Sequence, residues 1–518
     1  MNGAHALIRT LVDAGVDVCF MNPGTSEMHF VAALDDVPEM HAVLALFEGV
    51  ATGAADGYAR IADRPAATLL HLGPGLGNGL ANLHNARRAH SPVVNIVGDH
   101  ATYHKQYDAQ LDSDIETVAR NVSRWIRSSA STPSLPADAA DALAAAAGPP
   151  GQVATLIVPA DISWSEGADP VPAAPGREPA PVDTDLVSTL ATILHGDEPT
   201  MLFLGGRACR ADALLDASRI ANTTGAKLLA ETFPARLERG AGRVPVDRLA
   251  YLAEFAAIQL DGLAHIILVG STSPVSFFAY PGKASDLVPD GCRVHVLSAA
   301  DGDPADALAA LAKAIDAPAD AASVQPAVRP DLPSGPLTAD AACQAIGALL
   351  PAGAIVSDES NTSGLFAAGH TAGAPPHDWL CLTGGAIGQG LPVALGAAVA
   401  APDRQVIALQ ADGSAMYTLQ AWWTIAREQL DVITIIFNNS SYAVLNMELS
   451  RVGAQAGGAK AEAMLDLHNP SLDFVALATG MGIPATRATT SDAFVEQLQR
   501  ALATRGPSVI DAVVPSIV

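Results

Sequence analysis

Short apolar segments alternate with alanine-rich segments along the whole chain, and this alternation rules out most fold classes. The apolar segments are continuous, without interspersed polar residues, which is typical of strands buried on both faces. Such strands, alternating with helices, form parallel sheets with helices packed on each side, and their ligands bind at the carboxyl ends of the strands. We therefore predict an α/β fold of doubly wound parallel sheets. The segments interpreted as strands are 43–46, 67–71, 93–97, 154–158, 201–204, 227–230, 265–269, 293–297, 354–356, 405–409, 432–437 and 508–513.

Two segments interrupt the alternation, at residues 166–183 and 317–336, and both are rich in proline and alanine. Segments of this composition are typical of linkers between domains. A chain of 518 residues is long enough for about three domains of roughly 150 residues each. We predict three domains, each with its own doubly wound parallel sheet, at residues 1–165, 184–316 and 337–518.

The formal net charge of −25 excludes two classes of partner. A general nucleic-acid-binding protein needs a basic surface, and docking on an anionic membrane needs one as well. The longest apolar segment, residues 386–401, contains Gln389 and Pro392 and is too short to span a bilayer. Five cysteines, none of them in a Cys-x-x-Cys pair, indicate reduced thiols. Since no secretory leader is visible, we expect a soluble, cytoplasmic protein.

Asp412 and Asn439 mark the strongest candidate for a ligand site. Each follows a predicted strand, and they are 27 positions apart, the length of one helix crossover. Because a crossover returns the chain to the same edge of a parallel sheet, both side chains should meet at one strand end. Carboxylate and amide oxygens suit Mg²⁺. Gly413 permits close approach of the backbone, and the helix predicted after Ser414 has an N-terminus that favours phosphate groups. Two unrelated turns, one with a helix cap, are the alternative.

This pattern of Asp-Gly and Asn-Asn resembles the binding motif of thiamine-diphosphate (ThDP) enzymes. The chain resembles, over nearly its full length, the branch that contains benzoylformate decarboxylase, pyruvate decarboxylase and acetolactate synthase. The resemblance implies a pyrimidine-binding domain, a central Rossmann-like domain and a diphosphate-binding domain, in that order. It also implies ThDP and Mg²⁺ as cofactors, with Asp412, Asn439 and the Ser441 carbonyl as metal ligands. Ala411 departs from the Gly-Asp-Gly that is usual in the family.

The same resemblance assigns roles to residues upstream of this motif. Residues 383–388 (Thr-Gly-Gly-Ala-Ile-Gly) resemble the segment that receives the pyrimidine ring of the cofactor. The resemblance implies that Ile387 wedges between the two cofactor rings and that the Gly385 carbonyl bonds the pyrimidine. Ordinary core packing is the alternative for Ile387. Asn361 and Thr362 lie in a segment that resembles a loop near the diphosphate, and a turn or helix cap is the alternative there.

Glu48 is a single acidic residue at the end of an apolar segment, directly before an alanine- and glycine-rich helix. Negative charge is favourable at a helix N-terminus, which is one explanation. The other follows from the resemblance, because residues 48–60 are similar to the family's glutamate helix. There the carboxyl group bonds pyrimidine N1′ and promotes the imino tautomer that takes the C2 proton. In this family that carboxylate and the diphosphate site come from different subunits, which implies a homodimer or homotetramer with the active site across the interface.

Thr25, His71 and Gln110 are the candidates for contact with the substrate. Residues 22–27 (Asn-Pro-Gly-Thr-Ser-Glu) and the strand that ends in His71 resemble benzoylformate decarboxylase. There, the matching threonine and histidine positions bind the substrate carboxylate and handle protons. A hydrogen-bonded structural role is the alternative for His71. Gln110 resembles a pocket glutamine of acetolactate synthases, and the loop 276–280 has no counterpart of the second histidine of benzoylformate decarboxylase, which leaves room for carboligation.

Together these features predict an enzyme that decarboxylates a small-molecule 2-oxo acid with ThDP and Mg²⁺ through an enamine intermediate. The enamine is expected to leave as an aldehyde or to join a carbonyl acceptor. An acetolactate-synthase-like transferase is the nearest alternative, although the middle domain has no recognisable flavin-binding loops. A non-catalytic ThDP-binding subunit or a nucleotide-dependent dehydrogenase would also be compatible with parts of the pattern. The presence of both Glu48 and Asp412 argues against the non-catalytic subunit.

Overall fold

The computed structural model describes residues 1–454 and 458–516. In it, the first third of the chain forms a six-stranded sheet. Its strands are β1 (Val18–Asn22), β2 (His41–Leu44), β3 (Ala66–Leu70), β4 (Val93–Asp99), β5 (Trp125–Ser128) and β6 (Val153–Pro159), and its helices are α1 (Gly3–Asp13), α2 (Met28–Ala33), α3 (Glu48–Ala62), α4 (Leu72–Ala89), α5 (Ile115–Ala119), α6 (Leu135–Ala147) and α7 (Ala160–Trp164). The strands are parallel, in the order β2-β1-β3-β4-β6-β5. Phe20 of β1 belongs to one hydrophobic core and its neighbours Cys19 and Met21 to another. Both faces of the sheet are therefore covered, as continuous apolar strands require.

The middle of the chain forms a five-stranded parallel sheet. The elements of this region are α8 (Thr184–Leu194), β7 (Thr200–Leu204), α9 (Ala211–Thr224), β8 (Lys227–Ala230), β9 (Leu237–Arg239), β10 (Asp247–Arg248), α10 (Ala253–Leu260), β11 (His265–Val269), β12 (Arg293–Ser298) and α11 (Pro304–Ala314). The strand order is β10-β8-β7-β11-β12. Counting these five strands along the chain, the spatial order is 3-2-1-4-5, which is that of a Rossmann-like sheet.

The last third of the chain forms a seven-stranded sheet. Its elements are α12 (Ala339–Leu349), β13 (Ile355–Glu359), α13 (Ala367–His370), β14 (His377–Leu380), α14 (Gly390–Ala400), β15 (Val406–Ala411), α15 (Asp412–Ala415), α16 (Gln420–Arg427), β16 (Val432–Asn438), α17 (Ala443–Arg451), α18 (Ala459–Ala463), α19 (Phe474–Gly480), β17 (Ala485–Ala488), α20 (Ser491–Ala503) and β18 (Ser508–Val513). The order is β17-β18-β16-β15-β13-β14-β9. Only the edge strand β9, contributed by the middle of the chain, is antiparallel among these seven described strands. The predicted α/β fold of three doubly wound parallel sheets is confirmed.

The proline-rich segments 166–183 and 317–336 are irregular apart from isolated bridges such as Ala180 to Gly302. The domain bounds at 1–165, 184–316 and 337–518 stay a prediction. Strand β9 lies within the predicted middle domain but belongs to the sheet of the last domain. Within the described ranges, no helix has the length and apolar character needed to cross a membrane.

Helices α3 and α14 join the first and last sheets into one structure. Residues of both helices, such as Ala54 and Leu395, belong to a single hydrophobic core that also contains strand residues of both sheets. The helices approach so closely that a methyl group on Gly396 would lie 1.8 Å from the carbonyl oxygen of Ala54. Small residues therefore permit the contact that holds Glu48, the first residue of α3, near the last domain.

We expect Gly396→Ala to lower the thermal midpoint, because the added methyl would meet backbone atoms of α3 that cannot move independently. Overpacking of this kind costs about 1–3 kcal/mol. The matched control is Gly369→Ala, since a methyl group at Gly369 has no neighbouring atom within 4 Å. Equal thermal midpoints for the two variants in differential scanning fluorimetry would contradict this account of the interface.

Candidate active site

Asp412 and Asn439 come together at the carboxyl edge of the last sheet. Strands β15 and β16 are parallel neighbours, with Ala411 paired to Phe437, so the residues that follow them emerge side by side. Asp412 Oδ2 accepts hydrogen bonds from the backbone N–H groups of Asn439, at 3.0 Å, and Ser440, at 2.6 Å. The crossover between the two strands thus produces the convergence that the sequence predicts.

The Asp412 carboxylate is buried, with 2% of its surface exposed. Burial raises its pKa, and the N–H groups of Gly413, Ser440 and Asn439 oppose this rise by hydrogen bonding to the charged form. A divalent cation would oppose it further, since a positive charge also favours the carboxylate form. Ser414 is buried beside it, and its hydroxyl donates to the carbonyls of Glu359 and Ala411.

Asn439 and Ser441 line a cavity of about 420 Å³ at this edge. Asn439 Oδ1 accepts the Ser441 N–H at 3.0 Å and keeps a second lone pair. Ser441 lies opposite Asp466 in an isolated antiparallel bridge. The two backbone hydrogen bonds of this bridge join the Ser440 carbonyl to the Leu467 N–H and the Tyr442 N–H to the Leu465 carbonyl. The Ser441 carbonyl therefore takes no part in the bridge. A carboxylate, an amide oxygen and a backbone carbonyl fit the oxygen donor set of Mg²⁺. The remaining lining residues are Asn446, Glu462, Leu465, Asp466, His468, Val514, Pro515 and Ser516.

The predicted diphosphate loop lies against the same edge. Asn361 begins a 3₁₀ turn that continues through Thr362 to Gly364, directly after β13. Ser363 of this turn accepts a hydrogen bond from Asn439 Nδ2 at 3.4 Å. Asn361 is exposed and Thr362 is partly exposed, so both side chains are accessible beside the cluster formed by Asp412 and Asn439.

Glu359 fixes the segment that is predicted to receive the pyrimidine ring. Its carboxylate accepts the backbone N–H groups of Gly388, Gln389 and Gly390 at 2.6, 3.2 and 2.8 Å. Gly388 and Gln389 directly precede α14 and Gly390 is its first residue, so these N–H groups have no partner within the helix. Burial raises the pKa of Glu359 to about 7, and the three N–H groups oppose the rise. In this segment Gly385 has a φ of 74°, and Ile387 is partly exposed, unlike a core residue.

The first domain holds the same segment from the other side through α4. Asn82 donates to the Gly388 carbonyl at 3.2 Å, and Asn85 donates to the Ala386 carbonyl at 2.8 Å. The Gly388 carbonyl also accepts from the Thr418 hydroxyl at 3.0 Å. Residues 386–390 are therefore bound by both domains of one chain.

Glu48 is the first residue of α3 and is buried, with 6% of its surface exposed. Its Oε2 accepts a hydrogen bond from Asn78 Nδ2 of α4 at 3.0 Å. The residue before it, Phe47, makes no side-chain cap. The carboxylate thus pairs with a neighbouring helix, which goes beyond the simple helix-terminus explanation.

His71 pairs with Glu27, for which the sequence pattern predicts no role. His71 Nδ1 lies 2.8 Å from Glu27 Oε2, and the same oxygen accepts the Gly24 N–H at 2.7 Å. Burial raises the pKa of Glu27, while the Gly24 N–H and the His71 ring oppose the rise. This contact occupies Nδ1 and leaves Nε2 for a ligand. Thr25 opens the 3₁₀ turn that carries Glu27 and is exposed.

Gln110, the remaining residue predicted to contact the substrate, and Phe277 of the loop 276–280 both lie outside helices and strands. Gln110 is exposed in the segment that follows β4, and Ser113 of this segment contacts Gly73 near the start of α4. Phe277 of the middle domain contacts Gly385. Its ring is 5.2 Å from the Tyr251 ring and 4.9 Å from the Phe278 ring. An aromatic cluster therefore borders the pyrimidine segment.

Glu27, Glu359, Asn82 and Asn85 are the residues of this site that received no role from the sequence. Weak signals existed: Glu27 closes the Asn-Pro-Gly-Thr-Ser-Glu run, and Glu359 ends an apolar strand. The partners that place these residues in the site, however, are 29 to 306 positions away in the chain, so only the folded structure identifies them.

Three doubly wound sheets, with polar clusters at strand ends of the first and the last, define an α/β protein of the cofactor-binding class. Comparison with known proteins identifies the family. Residues 1–118 match the N-terminal TPP binding domain of thiamine pyrophosphate enzymes, and residues 362–512 match the C-terminal TPP binding domain. The chain belongs to the thiamine pyrophosphate enzyme family.

Individual relatives agree with this assignment. The chain is 60% identical to a Mycobacterium tuberculosis protein, IlvX, named provisionally as an acetolactate synthase large subunit, with 100% of both chains covered. It is 31% identical to benzoylformate decarboxylase of Pseudomonas aeruginosa, with 96% of each covered. The fold is similar to that of a ThDP-dependent 4-hydroxybenzoylformate decarboxylase of Rhodococcus jostii, with a TM-score of 0.87, 24% identity and 99% of each chain covered.

We expect Asp412→Asn to weaken Mg²⁺-dependent ThDP binding by at least about tenfold. Mutation of a residue that only hydrogen-bonds to a metal ligand already lowers metal affinity by about 10–100-fold, and Asp412 is predicted to be a ligand itself. The asparagine keeps an oxygen that can accept a strand-end N–H, so the fold should persist. Isothermal titration with ThDP, with and without Mg²⁺, measures the effect.

Asp466→Asn is the matched control for this variant, since it makes the same chemical change at an exposed residue of the same cavity. It should bind ThDP as the unmodified protein does. If Asp412→Asn bound ThDP as tightly as Asp466→Asn, the metal-ligand role of Asp412 would be wrong.

Proposed function

We propose that this protein is a ThDP- and Mg²⁺-dependent enzyme that decarboxylates a 2-oxo acid and releases the product as an aldehyde or transfers it to a carbonyl acceptor. The observation that carries the proposal is the convergence of the Asp412 carboxylate with Asn439 at one strand edge. It occurs in a chain that also buries a glutamate, Glu48, at the start of a helix in its first domain.

The last domain supplies the residues for the diphosphate end of the cofactor. Asp412, Asn439 and the Ser441 carbonyl would hold Mg²⁺, whose charge neutralises the phosphates. Asn361, Thr362, Gly413 and Ser414 would contact the diphosphate itself, since they follow the neighbouring parallel strands β13 and β15 at the same edge of the sheet. Gly385 and Ile387 would contact the pyrimidine and set the angle between the two rings. When bound, ThDP would accept the electron pair of the carbon–carbon bond that breaks as CO₂ leaves the substrate.

Glu48 would hold a proton at the carboxyl group that faces the pyrimidine nitrogen. The hydrogen bond from Asn78 to Oε2 fixes the orientation of the carboxyl group, so Oε1 is the atom available to the ring. A carboxyl group in a buried position can share a proton with a ring nitrogen, which is the requirement for activating the cofactor.

His71 and Thr25 would orient the substrate. With Glu27 accepting a hydrogen bond from Nδ1–H, Nε2 becomes the atom of His71 that faces the substrate carboxylate or receives a proton. The Thr25 hydroxyl would donate to the same carboxylate. Gln110 would contribute from its loop, and the rings of Phe277 and Phe278 would exclude water from the apolar side of the pocket.

Carboligation is the second candidate, as in an acetolactate-synthase-like transferase. The loop 276–280 resembles the loop that carries the second histidine of benzoylformate decarboxylase but has no histidine, so fewer groups would be available to protonate the product. The relative at 60% identity also carries an acetolactate synthase name. A non-catalytic ThDP-binding subunit is disfavoured because both Glu48 and Asp412 are present.

We further propose a homodimer or homotetramer in the cytoplasm, with each active site shared between two subunits. Large apolar side chains that follow the strands of the last sheet support a covering partner. Leu365, Tyr417 and Leu445 are 72%, 51% and 45% exposed at this edge. A second copy of the chain would bury them and bring its own Glu48 to the site.

A panel of 2-oxo acids with aryl, branched and short side chains tests the proposed function. Purified protein is assayed for CO₂ release with ThDP and Mg²⁺, with and without added aldehydes, and pyruvate is assayed for acetolactate. Decarboxylation without an acceptor supports the lyase, and acceptor-dependent CO₂ release supports the carboligase. The absence of CO₂ release across the panel from protein that binds ThDP would refute both.

We expect Glu48→Gln to abolish turnover while changing ThDP affinity by less than about tenfold, because the amide cannot share a proton with the ring nitrogen. Turnover is measured as CO₂ release and affinity by titration. Glu116→Gln, an exposed change in α5, is the control and should retain full activity. Unchanged turnover in Glu48→Gln would remove this residue from the mechanism.

A further inference from the structure

Two buried asparagines of α4 use their amide groups on the backbone of other elements. Asn82 and Asn85 are 2% and 0% exposed and lie one turn apart. Asn85 Nδ2 donates to Asn82 Oδ1 at 3.0 Å, so the two side chains form one unit. A buried amide is stable only when its donors and acceptor are paired.

Asn85 binds both backbone groups of Ala386. Its Nδ2 donates to the Ala386 carbonyl at 2.8 Å, and its Oδ1 accepts the Ala386 N–H at 3.2 Å. A methyl group on the neighbouring Gly384 would lie 2.4 Å from Asn85 Oδ1, so glycine is needed there for the approach. This two-point pairing fixes the peptide orientation immediately beside Gly385 and Ile387.

Asn82 joins the same segment to the helix that carries Glu48. Its Nδ2 donates to the Gly49 carbonyl at 2.7 Å and to the Gly388 carbonyl at 3.2 Å. Gly49 is the residue after Glu48. One nitrogen atom therefore ties the start of α3 to the end of the segment that Glu359 holds from the opposite side.

We propose that Asn82 and Asn85 are positioning residues that hold residues 384–388 in the conformation that receives the cofactor's pyrimidine ring, before the cofactor binds. The inference rests on the proposed function, in which this segment contacts ThDP. Without these amides the Ala386 N–H and carbonyl lose their partner in the middle of the segment. The side-chain hydrogen bonds that remain among the described residues hold its two ends, at Gly384 and Gly388. Binding would then have to order the peptide as well, which lowers affinity.

Asn82→Leu and Asn85→Leu test the proposal, because leucine has nearly the shape of asparagine but forms no hydrogen bonds. In the cofactor-free protein we expect amide hydrogen exchange in residues 384–390 to accelerate by at least about tenfold, since each variant removes two or more buried hydrogen bonds. We expect the Kd for ThDP, measured with Mg²⁺, to rise by about tenfold. Asn82→Ser, a smaller change, gives a second measurement if either leucine variant folds poorly.

Thr424→Val is the matched control. It removes another buried hydrogen bond between the first and last domains, from the Thr424 hydroxyl to the Leu44 carbonyl at 2.9 Å, away from residues 384–390. It should lower the thermal midpoint as the asparagine variants do, but leave exchange in that segment and the Kd for ThDP unchanged.

The outcomes separate the two proposals. If the unmodified protein binds no ThDP, the proposed function fails. If it binds ThDP, and the asparagine variants show the same exchange and Kd as Thr424→Val, the positioning role fails while the proposed function stands.

Discussion

One buried carboxylate, Glu359, fixes the backbone at the start of α14, and the geometry of the candidate site depends on it. The N–H groups of residues 388–390 would otherwise be buried without partners, which costs more than the net energy of a hydrogen bond. Glu359 ends β13, so this contact connects the strand before the predicted diphosphate loop to α14. That helix packs on α3, which begins with Glu48. A single carboxylate thus connects the last domain to the helix that carries Glu48 within one chain.

The site is built from carboxylates withdrawn from water, each supplied with hydrogen-bond donors. Asp412 and Glu359 receive backbone N–H groups, Glu48 receives an asparagine amide, and Glu27 receives an N–H and an imidazole. Such groups favour cations and protonated ring nitrogens. This character suits Mg²⁺ and the nitrogen-rich rings of ThDP. It is also compatible with the proposed anionic substrate in a chain with a net charge of −25, because a bound metal ion and cofactor would supply positive charge locally.

The predictable part of this structure is the part that follows from short-range rules. Parallel sheets follow from continuous apolar strands, and the meeting of Asp412 with Asn439 follows from a single crossover of fixed length. Glu27 and Glu359 could not be assigned, because the partners that give them a role, His71 and residues 388–390, are distant in the chain and the sequence pattern does not indicate these pairings. The position of strand β9 could not be predicted either. It has only three residues, too few to show a strand periodicity, and it pairs with β14, which lies about 140 positions later in the chain. The roles of the individual site residues stay predictions.

The carboxyl edge of the last sheet exposes large apolar side chains, and this affects how the proposed reaction is shielded from water. Leu365, Tyr417 and Leu445 follow β13, β15 and β16, the strands whose ends carry the predicted cofactor residues, and all three are exposed. A site that releases CO₂ from a charged intermediate gains from a dry environment, in which fixed dipoles act more strongly. The described residues of a single chain leave these side chains uncovered. A partner subunit that brought Glu48 to the same edge would bury them in the same step, so assembly and activation of the cofactor would become one event.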